Sequence, residues 1–238
     1  MAKIDMVVLD MAGTTVQDNN EVENCFWEAA QRSGIETTRE KIISMMGWSK
    51  RLVFETLWKE QLPRAEDALI QSQADHSFSL FKDVLEHHYI TQDVMPTEGC
   101  LELFNFLHKN QIKIALTTGF YREVTDIILR RLGWDSGLDI LYKGNGLVNA
   151  SVTSDQVTLG RPSPYMIFRS MELCGVTDVR RVIKIGDTPS DLAEGKNAGC
   201  LSLGITNGTH TREQLSQYEN NGLMDNLDRF RAFLSEFV

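Results

Sequence analysis

Short apolar stretches of strand length alternate with amphipathic stretches along most of the chain. The apolar stretches are residues 4–10, 112–118, 182–187 and 200–205. Between them apolar residues recur at helical spacing, which predicts helices over residues 101–110, 122–132, 164–174 and 191–198. Buried strands that alternate with helices favour right-handed crossovers. The pattern therefore predicts an α/β fold with a parallel sheet covered on both faces.

Residues 17–95 break this alternation, because they contain helical patterns and no convincing strand. The predicted helices are residues 22–32, 38–46, 50–60 and 64–88. Thr37 and Glu40 have the spacing of a capping box, and Gly47 is suited to end the second of these helices. We therefore predict a core domain made of residues 1–16 and 96–238, with a helical insertion, residues 17–95, that lies over the active edge of the sheet.

Composition and charge narrow the classes of function. The chain has 238 residues, and 42% of them are hydrophobic, which is enough for a substantial core. Its 24 basic and 33 acidic residues give a net charge of −9, which disfavours a nucleic-acid-binding protein. An anionic substrate must then be attracted by local cations and a metal ion, since the overall field repels it.

The sequence also predicts where the protein is found. The N-terminal residues lack the long apolar core of a signal peptide, and no apolar run approaches the ~20 residues of a membrane span. The four cysteines are far apart and form no CxxC motif, which favours reduced thiols in the core. We therefore expect a soluble, cytoplasmic protein that binds neither membranes nor nucleic acids.

The first predicted strand ends in an aspartate, Asp10, which is followed by a turn that contains Gly13. Functional residues of a parallel α/β sheet collect at the carboxyl ends of the strands. An aspartate at such an end can accept a phosphoryl group covalently. An aspartate before glycine is also a common turn former, so this motif alone leaves both interpretations open.

Other chemically useful residues follow the remaining strands. Asp187 and Asp191 offer carboxylate oxygens of the kind that Mg²⁺ prefers, although Asp191 could instead cap the helix that begins near Ser190. Thr118 ends the second strand and offers a hydroxyl for phosphoryl oxygens, and Arg161 offers a cation. Each signal is weak alone, but together they form one constellation of nucleophile, hydroxyl, cation and metal ligands.

Over its whole length the chain resembles the haloacid dehalogenase superfamily, and within it the phosphonatase branch, which includes phosphonoacetaldehyde hydrolase and phosphonatase-like hydrolases. The matching segments occur in the order of the family and are Asp10-Met-Ala-Gly-Thr-Thr15, Met46-Gly-Trp-Ser-Lys50, Thr117-Thr-Gly-Phe120, Gly160-Arg-Pro162 and Gly186-Asp-Thr-Pro-Ser-Asp191. The resemblance implies a Rossmann-like core with an inserted α-helical cap domain and an aspartyl-phosphate intermediate. It also allows a homodimer formed through the cap.

The resemblance implies a role for each matching residue. The implied catalytic residues are Asp10, Lys50, Thr118 and Arg161. The implied substrate-binding residues are Ala12, Gly13, Thr14, Met46, Gly119 and Phe120. The implied ligands of Mg²⁺ are Asp10, the Ala12 carbonyl, Asp187 and Asp191.

Ala12 stands where phosphatases of this superfamily carry an aspartate that protonates the leaving group. Alanine donates no proton, and general acid catalysis is typically worth about 10²–10⁴-fold in rate. Efficient attack on ordinary alkyl phosphate esters is therefore disfavoured. An activated P–C bond or an anhydride needs no such acid.

Lys50 could activate a P–C bond, because the equivalent lysine of phosphonatases forms a Schiff base with the substrate aldehyde. Ser49 is suited to the N-cap position, which places Lys50 in the first turn of a helix. The helix dipole disfavours a cation there by only ~0.3–1 kcal/mol, so desolvation must contribute more. The alternative is a solvated lysine that only attracts the phosphoryl group.

Three positions depart from the phosphonatase pattern. Val53 replaces a histidine, Phe120 replaces the usual tyrosine, and Asn20 replaces an early cysteine of the cap. We predict a Mg²⁺-dependent hydrolase that cleaves phosphonoacetaldehyde or a related small phosphonate. The alternatives are a phosphatase or pyrophosphatase for a small phosphorylated metabolite, and a catalytically silent protein that binds phosphate.

Overall fold

A parallel six-stranded sheet forms the centre of the part of the chain, residues 3–237, that the computed structural model describes. Its strands are β1 (Met6–Asp10), β2 (Lys113–Thr118), β3 (Ala150–Thr153), β4 (Val182–Gly186), β5 (Leu201–Ile205) and β6 (Leu223–Met224). The strand order is β3-β2-β1-β4-β5-β6, so β1 lies in the interior of the sheet. The α/β fold with a parallel sheet is therefore confirmed.

Helices occupy the segments between the strands, and four of them follow one another between β1 and β2. These are α1 (Glu21–Ser33), α2 (Arg39–Ser44), α3 (Lys50–Gln61) and α4 (Asp67–Thr91). The others are α5 (Cys100–Lys109), α6 (Arg122–Leu132), α7 (Tyr165–Cys174), α8 (Pro189–Ala198), α9 (Arg212–Leu215) and α10 (Leu227–Leu234). We call α1–α4 the inserted helices. None of the helices in residues 3–237 is both long and apolar enough to cross a membrane.

The register of the sheet aligns the carboxyl ends of the neighbouring strands β1, β2 and β4. Asp10 of β1 pairs with Thr117 of β2, while Leu9 pairs with Ile185 of β4. Every residue of β1 and β4 is buried, which explains why these strands read as continuous apolar runs. The register places the segments after β1, β2 and β4 at one edge of the sheet.

The inserted helices have an aromatic core of their own. The ring of Phe26 on α1 lies 4.3 Å from that of Phe81 on α4 and 5.3 Å from that of Phe54 on α3. Trp58 is buried, and its Nε1 donates a hydrogen bond of 2.8 Å to the Ser77 hydroxyl. Trp58 therefore serves the packing of these helices.

Two neighbouring chain segments connect the inserted helices to the sheet. Val16 and Pro96 form an antiparallel bridge. The Gln17 amide donates to the Met95 carbonyl at 3.0 Å, and the amide of residue 97 donates to the carbonyl of residue 15 at 2.9 Å. The chain thus enters and leaves the inserted helices at one place.

Two local predictions in this region are wrong. The N-cap of α2 is Thr38, whose hydroxyl accepts a hydrogen bond from the Lys41 amide at 3.2 Å, so Thr37 and Glu40 form no capping box there. The helix ends at Ser44, before Gly47. Gly47 has a φ of +84°, and a Cβ at this position would overlap the side chain of Thr188. This glycine permits close approach to the core instead of ending a helix.

Strands β3 and β6 and helices α9 and α10 are absent from the sequence prediction. Strand β3 is only four residues long and half of them carry hydroxyls, so it has no apolar run to detect. Strand β6 has only two residues. All four cysteines carry free thiols, as predicted, and three of them are buried.

Candidate active site

Asp10 sits at the end of β1, and hydrogen bonds within the turn that follows hold its backbone in place. The Asp10 carbonyl accepts a hydrogen bond of 2.8 Å from the Thr15 hydroxyl, and the amides of residues 14 to 16 donate to the Met11 carbonyl. Gly13 has a φ of +84°, and a Cβ there would overlap the carboxylate of Asp187. Only glycine lets the first and fourth strand ends approach this closely.

Three buried carboxylates meet at this edge of the sheet. Asp10, Asp187 and Asp191 each offer an oxygen, and these oxygens lie within 4.8 Å of one another. The Thr14 hydroxyl donates to Asp187 at 3.2 Å, and the amide of Thr209 donates to it at 2.6 Å. Clustered carboxylate oxygens suit a hard divalent cation.

Burial and mutual repulsion perturb the acidities of this cluster. Burial, together with the negative charge of Asp191, raises the pKa of Asp10 to about 7. Burial and the same neighbour raise the pKa of Asp187. Burial also opposes ionisation of Asp191, but Arg161 and Lys184 outweigh it and lower the pKa of Asp191 below its usual value.

Arg161 connects the second strand, the nucleophile candidate and α8. Its Nη1 donates to Asp10 at 2.6 Å and lies 3.0 Å from an Asp191 oxygen. Its Nε donates to Glu194 at 3.0 Å, and its Nη2 donates to the Thr117 carbonyl and hydroxyl at 2.9 Å. All three nitrogens therefore bind protein groups, and the side chain is fully buried. The arrangement orients the Asp10 carboxylate.

Lys184 and Glu194 are functional candidates that the sequence analysis missed. The Lys184 ammonium lies 2.8 Å from Asp191, 3.4 Å from Glu194 and 3.1 Å from the Thr117 hydroxyl. A lysine in the middle of the apolar stretch 182–187 was a detectable signal, because a fully buried lysine needs a partner.

The buried network carries more negative than positive charge. Its four carboxylates belong to Asp10, Asp187, Asp191 and Glu194, and its two cations belong to Arg161 and Lys184. Full ionisation would leave two negative charges uncompensated in a region of low dielectric. One divalent cation on the carboxylate cluster would balance them. The residues present therefore fit a divalent metal ion.

Lys50 is the first residue of α3, and its side chain is buried over two aromatic rings. The Nζ atom lies 5.0 Å from the ring centroid of Phe120 and 5.4 Å from that of Phe26. Within residues 3–237 no hydrogen-bond or ion-pair partner of this amine is found. Burial lowers the pKa of Lys50 to about 8, although the charge of Asp10 opposes the shift. Ser49 occupies the N-cap position as predicted, without a side-chain capping bond.

Most of the predicted site residues surround one small cavity of about 20 Å³. Its lining includes Asp10, Ala12, Met46, Lys50, Thr118, Gly119, Phe120 and Arg161. Four predicted site residues lie outside this lining: Gly13, Thr14, Asp187 and Asp191. Gly13 and Thr14 lie against the side chain of Asp187. A Cβ on Gly119 would overlap the carbonyls of residues 47 and 48, so the cavity closes where the inserted helices meet the core.

The three departures from the phosphonatase pattern occupy different places. Val53 is buried in the apolar core, and Phe120 lines the small cavity beside Asp10. Asn20 is exposed in a left-handed conformation just before α1. Of the three replacements, only the one at Phe120 therefore lies directly against the cavity.

The sequence of this site matches a known family. The model of the haloacid dehalogenase-like hydrolases matches residues 4–199. The chain belongs to this family. It is therefore a hydrolase, and the resemblance inferred from its motifs is confirmed.

Relatives of this haloacid dehalogenase-like hydrolase include enzymes of the phosphonatase branch. The chain is 31% identical to a phosphonoacetaldehyde hydrolase from Bacillus cereus over 226 residues, which cover 91% of the chain and 81% of that protein. It is 34% identical to a phosphonoacetaldehyde hydrolase from Bacillus mycoides over 221 residues, covering 87% of the chain and 77% of that protein.

Two solved structures of other proteins share the fold. A hydrolase from Pseudomonas syringae matches with a TM-score of 0.82 at 20% identity, covering 98% of this chain and 99% of that one. A phosphonoacetaldehyde hydrolase-like protein from Oleispira antarctica matches with a TM-score of 0.80 at 18% identity, covering 99% and 93%.

Proposed function

We propose that this hydrolase cleaves the P–C bond of phosphonoacetaldehyde or a related small carbonyl phosphonate, with Mg²⁺ as cofactor and Asp10 as nucleophile. One observation carries the proposal. The buried amine of Lys50, which has no hydrogen-bond or ion-pair partner among residues 3–237, lines the same cavity as Asp10, while Ala12 stands at the position of the general acid. The likeness to phosphonoacetaldehyde hydrolases supports it.

Lys50 would act first, as a neutral amine that condenses with the substrate carbonyl and releases water. A pKa of about 8 leaves roughly a tenth of the amine neutral at pH 7, whereas the ordinary value of 10.5 leaves roughly three parts in ten thousand. The gain in reactive amine is therefore about 300-fold. The resulting iminium accepts the electron pair of the P–C bond.

Asp10 would then attack phosphorus while the P–C bond breaks. The electron pair of that bond enters the iminium and gives an enamine, so the leaving group needs no proton from residue 12. Arg161 holds the Asp10 carboxylate in place through a 2.6 Å hydrogen bond. The Thr118 hydroxyl and nearby backbone amides supply hydrogen bonds for the phosphoryl oxygens.

The carboxylate cluster is the proposed metal site. Asp10, the Ala12 carbonyl and Asp187 would hold Mg²⁺, with Asp191 in support. Bound there, the metal ion neutralises charge on the phosphoryl group and the surrounding carboxylates. Protonation of the enamine carbon restores an iminium, from which one water releases the aldehyde and frees Lys50, and a second water hydrolyses the aspartyl-phosphate.

The inserted helices are proposed to act as a movable cap domain, residues 17–95, over a core made of residues 1–16 and 96–238. A cavity of about 20 Å³ holds about one water molecule and is too small for phosphonoacetaldehyde. Substrate entry therefore requires the loop that carries Gly47 to separate from Gly119. The adjacent segments at Val16 and Pro96 are the proposed hinge.

A phosphatase or pyrophosphatase is the second candidate, favoured by the replacements at Val53 and Phe120. In that case Lys50 would remain protonated and bind the phosphoryl group as a cation. A third possibility, a silent binding protein, is opposed by the complete set of carboxylates. Trapping of trifluoroberyllate on Asp10 would distinguish an active nucleophile from a silent site.

A substrate panel tests the proposal directly. Phosphonoacetaldehyde, an acyl phosphate, pyrophosphate and a sugar phosphate are each incubated with the protein and Mg²⁺, and phosphate release is measured. We expect phosphate and acetaldehyde in equal amounts from phosphonoacetaldehyde, and loss of both products in Lys50→Met. Turnover of the phosphates alone, with an active Lys50→Met variant, would instead establish the second candidate.

A further inference from the structure

A second and larger cavity lies beside the catalytic one, between helices α3 and α4 on one side and the start of α6 on the other. Its volume is about 410 Å³, within the range of small-molecule sites. Its lining residues are Ser49, Lys50, Arg51, Phe78, Lys82, Tyr121, Glu123, Ser154 and Asp155. We call it the side cleft. Lys50 lines both cavities and therefore forms part of the boundary between them.

Most of the charged and polar groups of the side cleft are bound to other protein groups. Arg51 donates to Asp75 and Gln71 at 2.7 Å each and to Glu55 at 3.1 Å, so each of its three side-chain nitrogens already has a protein acceptor. Such groups shape the cleft but have little capacity left for a ligand.

Asp155 and Ser154, on the other side of the cleft, also form hydrogen bonds within the protein. The Asp155 carboxylate accepts hydrogen bonds from the Arg122 amide at 3.1 Å and from the Thr153 hydroxyl at 2.6 Å. The Ser154 hydroxyl donates to two carbonyls of the loop after β2.

Apart from Lys50, Lys82 is the cation of the side cleft with the weakest ion pair. Its ammonium lies 3.7 Å from a Glu123 oxygen, which is longer than a hydrogen bond, and Glu123 is largely exposed. The same ammonium lies 4.7 Å from the ring centroid of Tyr121, and that ring packs edge to face against Phe78 at 5.5 Å. The side cleft therefore offers an aromatic wall with a loosely paired cation above it.

We propose that the side cleft is the subsite for the leaving group of the substrate, and that the preferred substrates are β-oxo phosphonates whose carbonyl carries a short chain ending in a carboxylate. The inference rests on the proposed function, because the imine on Lys50 is what places the carbonyl carbon at the boundary of the two cavities. With phosphorus at Asp10, any group on the far side of that carbon must enter the side cleft. Lys82 would bind its carboxylate, and Tyr121 and Phe78 would contact its methylene groups.

The reaction balances for any such chain. Lys50 condenses with the ketone and releases one water, Asp10 takes the phosphoryl group, and the P–C electron pair forms an enamine. Protonation of the enamine carbon and addition of one water release a methyl ketone from Lys50. A further water converts the aspartyl-phosphate to phosphate, so one water is consumed overall.

The test compares two substrates of matched length, 4-oxo-5-phosphonopentanoate and 2-oxopentylphosphonate, with phosphonoacetaldehyde as the reference. For the wild-type protein we expect a kcat/KM about five-fold higher for the carboxylate than for the neutral chain, the size of a partly exposed ion pair. Lys82→Met should reduce this ratio to about one, and Lys82→Arg should retain it. Lys109→Met, at an exposed position of α5, should change neither the ratio nor phosphonoacetaldehyde turnover.

The three substrates distinguish an error about the side cleft from an error about P–C bond cleavage. Cleavage of phosphonoacetaldehyde without cleavage of either longer compound would overturn the side-cleft inference and leave the proposed function intact. A wild-type preference that survives in Lys82→Met would also overturn it, because the carboxylate would then bind elsewhere. Failure of all three compounds would overturn the proposed function and the inference together.

Discussion

Replacing Lys50 by methionine should make the protein more stable near neutral pH while it destroys activity. The buried amine has a pKa of about 8 in the folded state and an ordinary value of 10.5 when unfolded. The unfolded state therefore binds the proton more tightly. Below pH 8 the lowered pKa of Lys50 reduces the free energy of unfolding by its full amount. This reduction disappears as the pH rises from 8 to 10.5.

The size of the stabilisation follows from the difference between the pKa values of Lys50 in the folded and unfolded states. A difference of about 2.5 pKa units corresponds to roughly 3 kcal/mol of unfolding free energy. Methionine fills a similar volume, so little packing energy is lost. We expect Lys50→Met to stabilise the protein by up to about 3 kcal/mol at pH 7.

Urea unfolding without added metal, near pH 7 and near pH 10, measures the difference. Lys50→Arg keeps a permanent charge and should gain nothing, and Lys109→Met serves as an exposed control. A Lys50→Met protein that is no more stable than wild type at pH 7 would refute the reasoning. So would a gain that stays the same at both pH values, because it could not arise from the buried proton.

Three further predictions concern the carboxylates and the missing acid. Asp10→Asn should abolish phosphate release and leave the circular dichroism spectrum unchanged; substantial residual turnover would exclude Asp10 as nucleophile. Ala12→Asp should raise hydrolysis of a simple alkyl phosphate ester, since general acids are worth up to about 10²–10⁴-fold, and no gain would mean that the acid is not limiting. Glu194→Gln should lower kcat about ten-fold with little change in KM, because Arg161 loses a charged anchor; an equal rise in KM would point to substrate binding instead.

The strands that position the site could be predicted because nearly all of their residues are buried. Strands β1, β2 and β4 are buried along almost their whole length, so each appears in the sequence as an apolar run. Helix α6 has a strongly one-sided apolar pattern and was predicted with its observed bounds. The family motifs then ordered the ends of these strands, which is why Asp10, Thr118 and Asp187 were identified together.

The remaining features depend on contacts between distant parts of the chain. Gly47 could be interpreted as a helix terminator, and only its closeness to Thr188 reveals that it lets the segment between α2 and α3 approach the sheet domain. The pKa of Lys50 depends on burial under two rings from different elements, which no local pattern contains. Lys184 was a detectable anomaly in an apolar strand, but its partners lie on the following helix and on strand β2.

The central claim is that Asp10 and Lys50 act on one substrate molecule. Borohydride treatment in the presence of phosphonoacetaldehyde, followed by peptide mass spectrometry, tests it most directly. We expect a reduced adduct on Lys50 that retains phosphorus in Asp10→Asn and has lost it in the wild-type protein. An unmodified Lys50, or an adduct that loses its phosphorus without the Asp10 carboxylate, would contradict it.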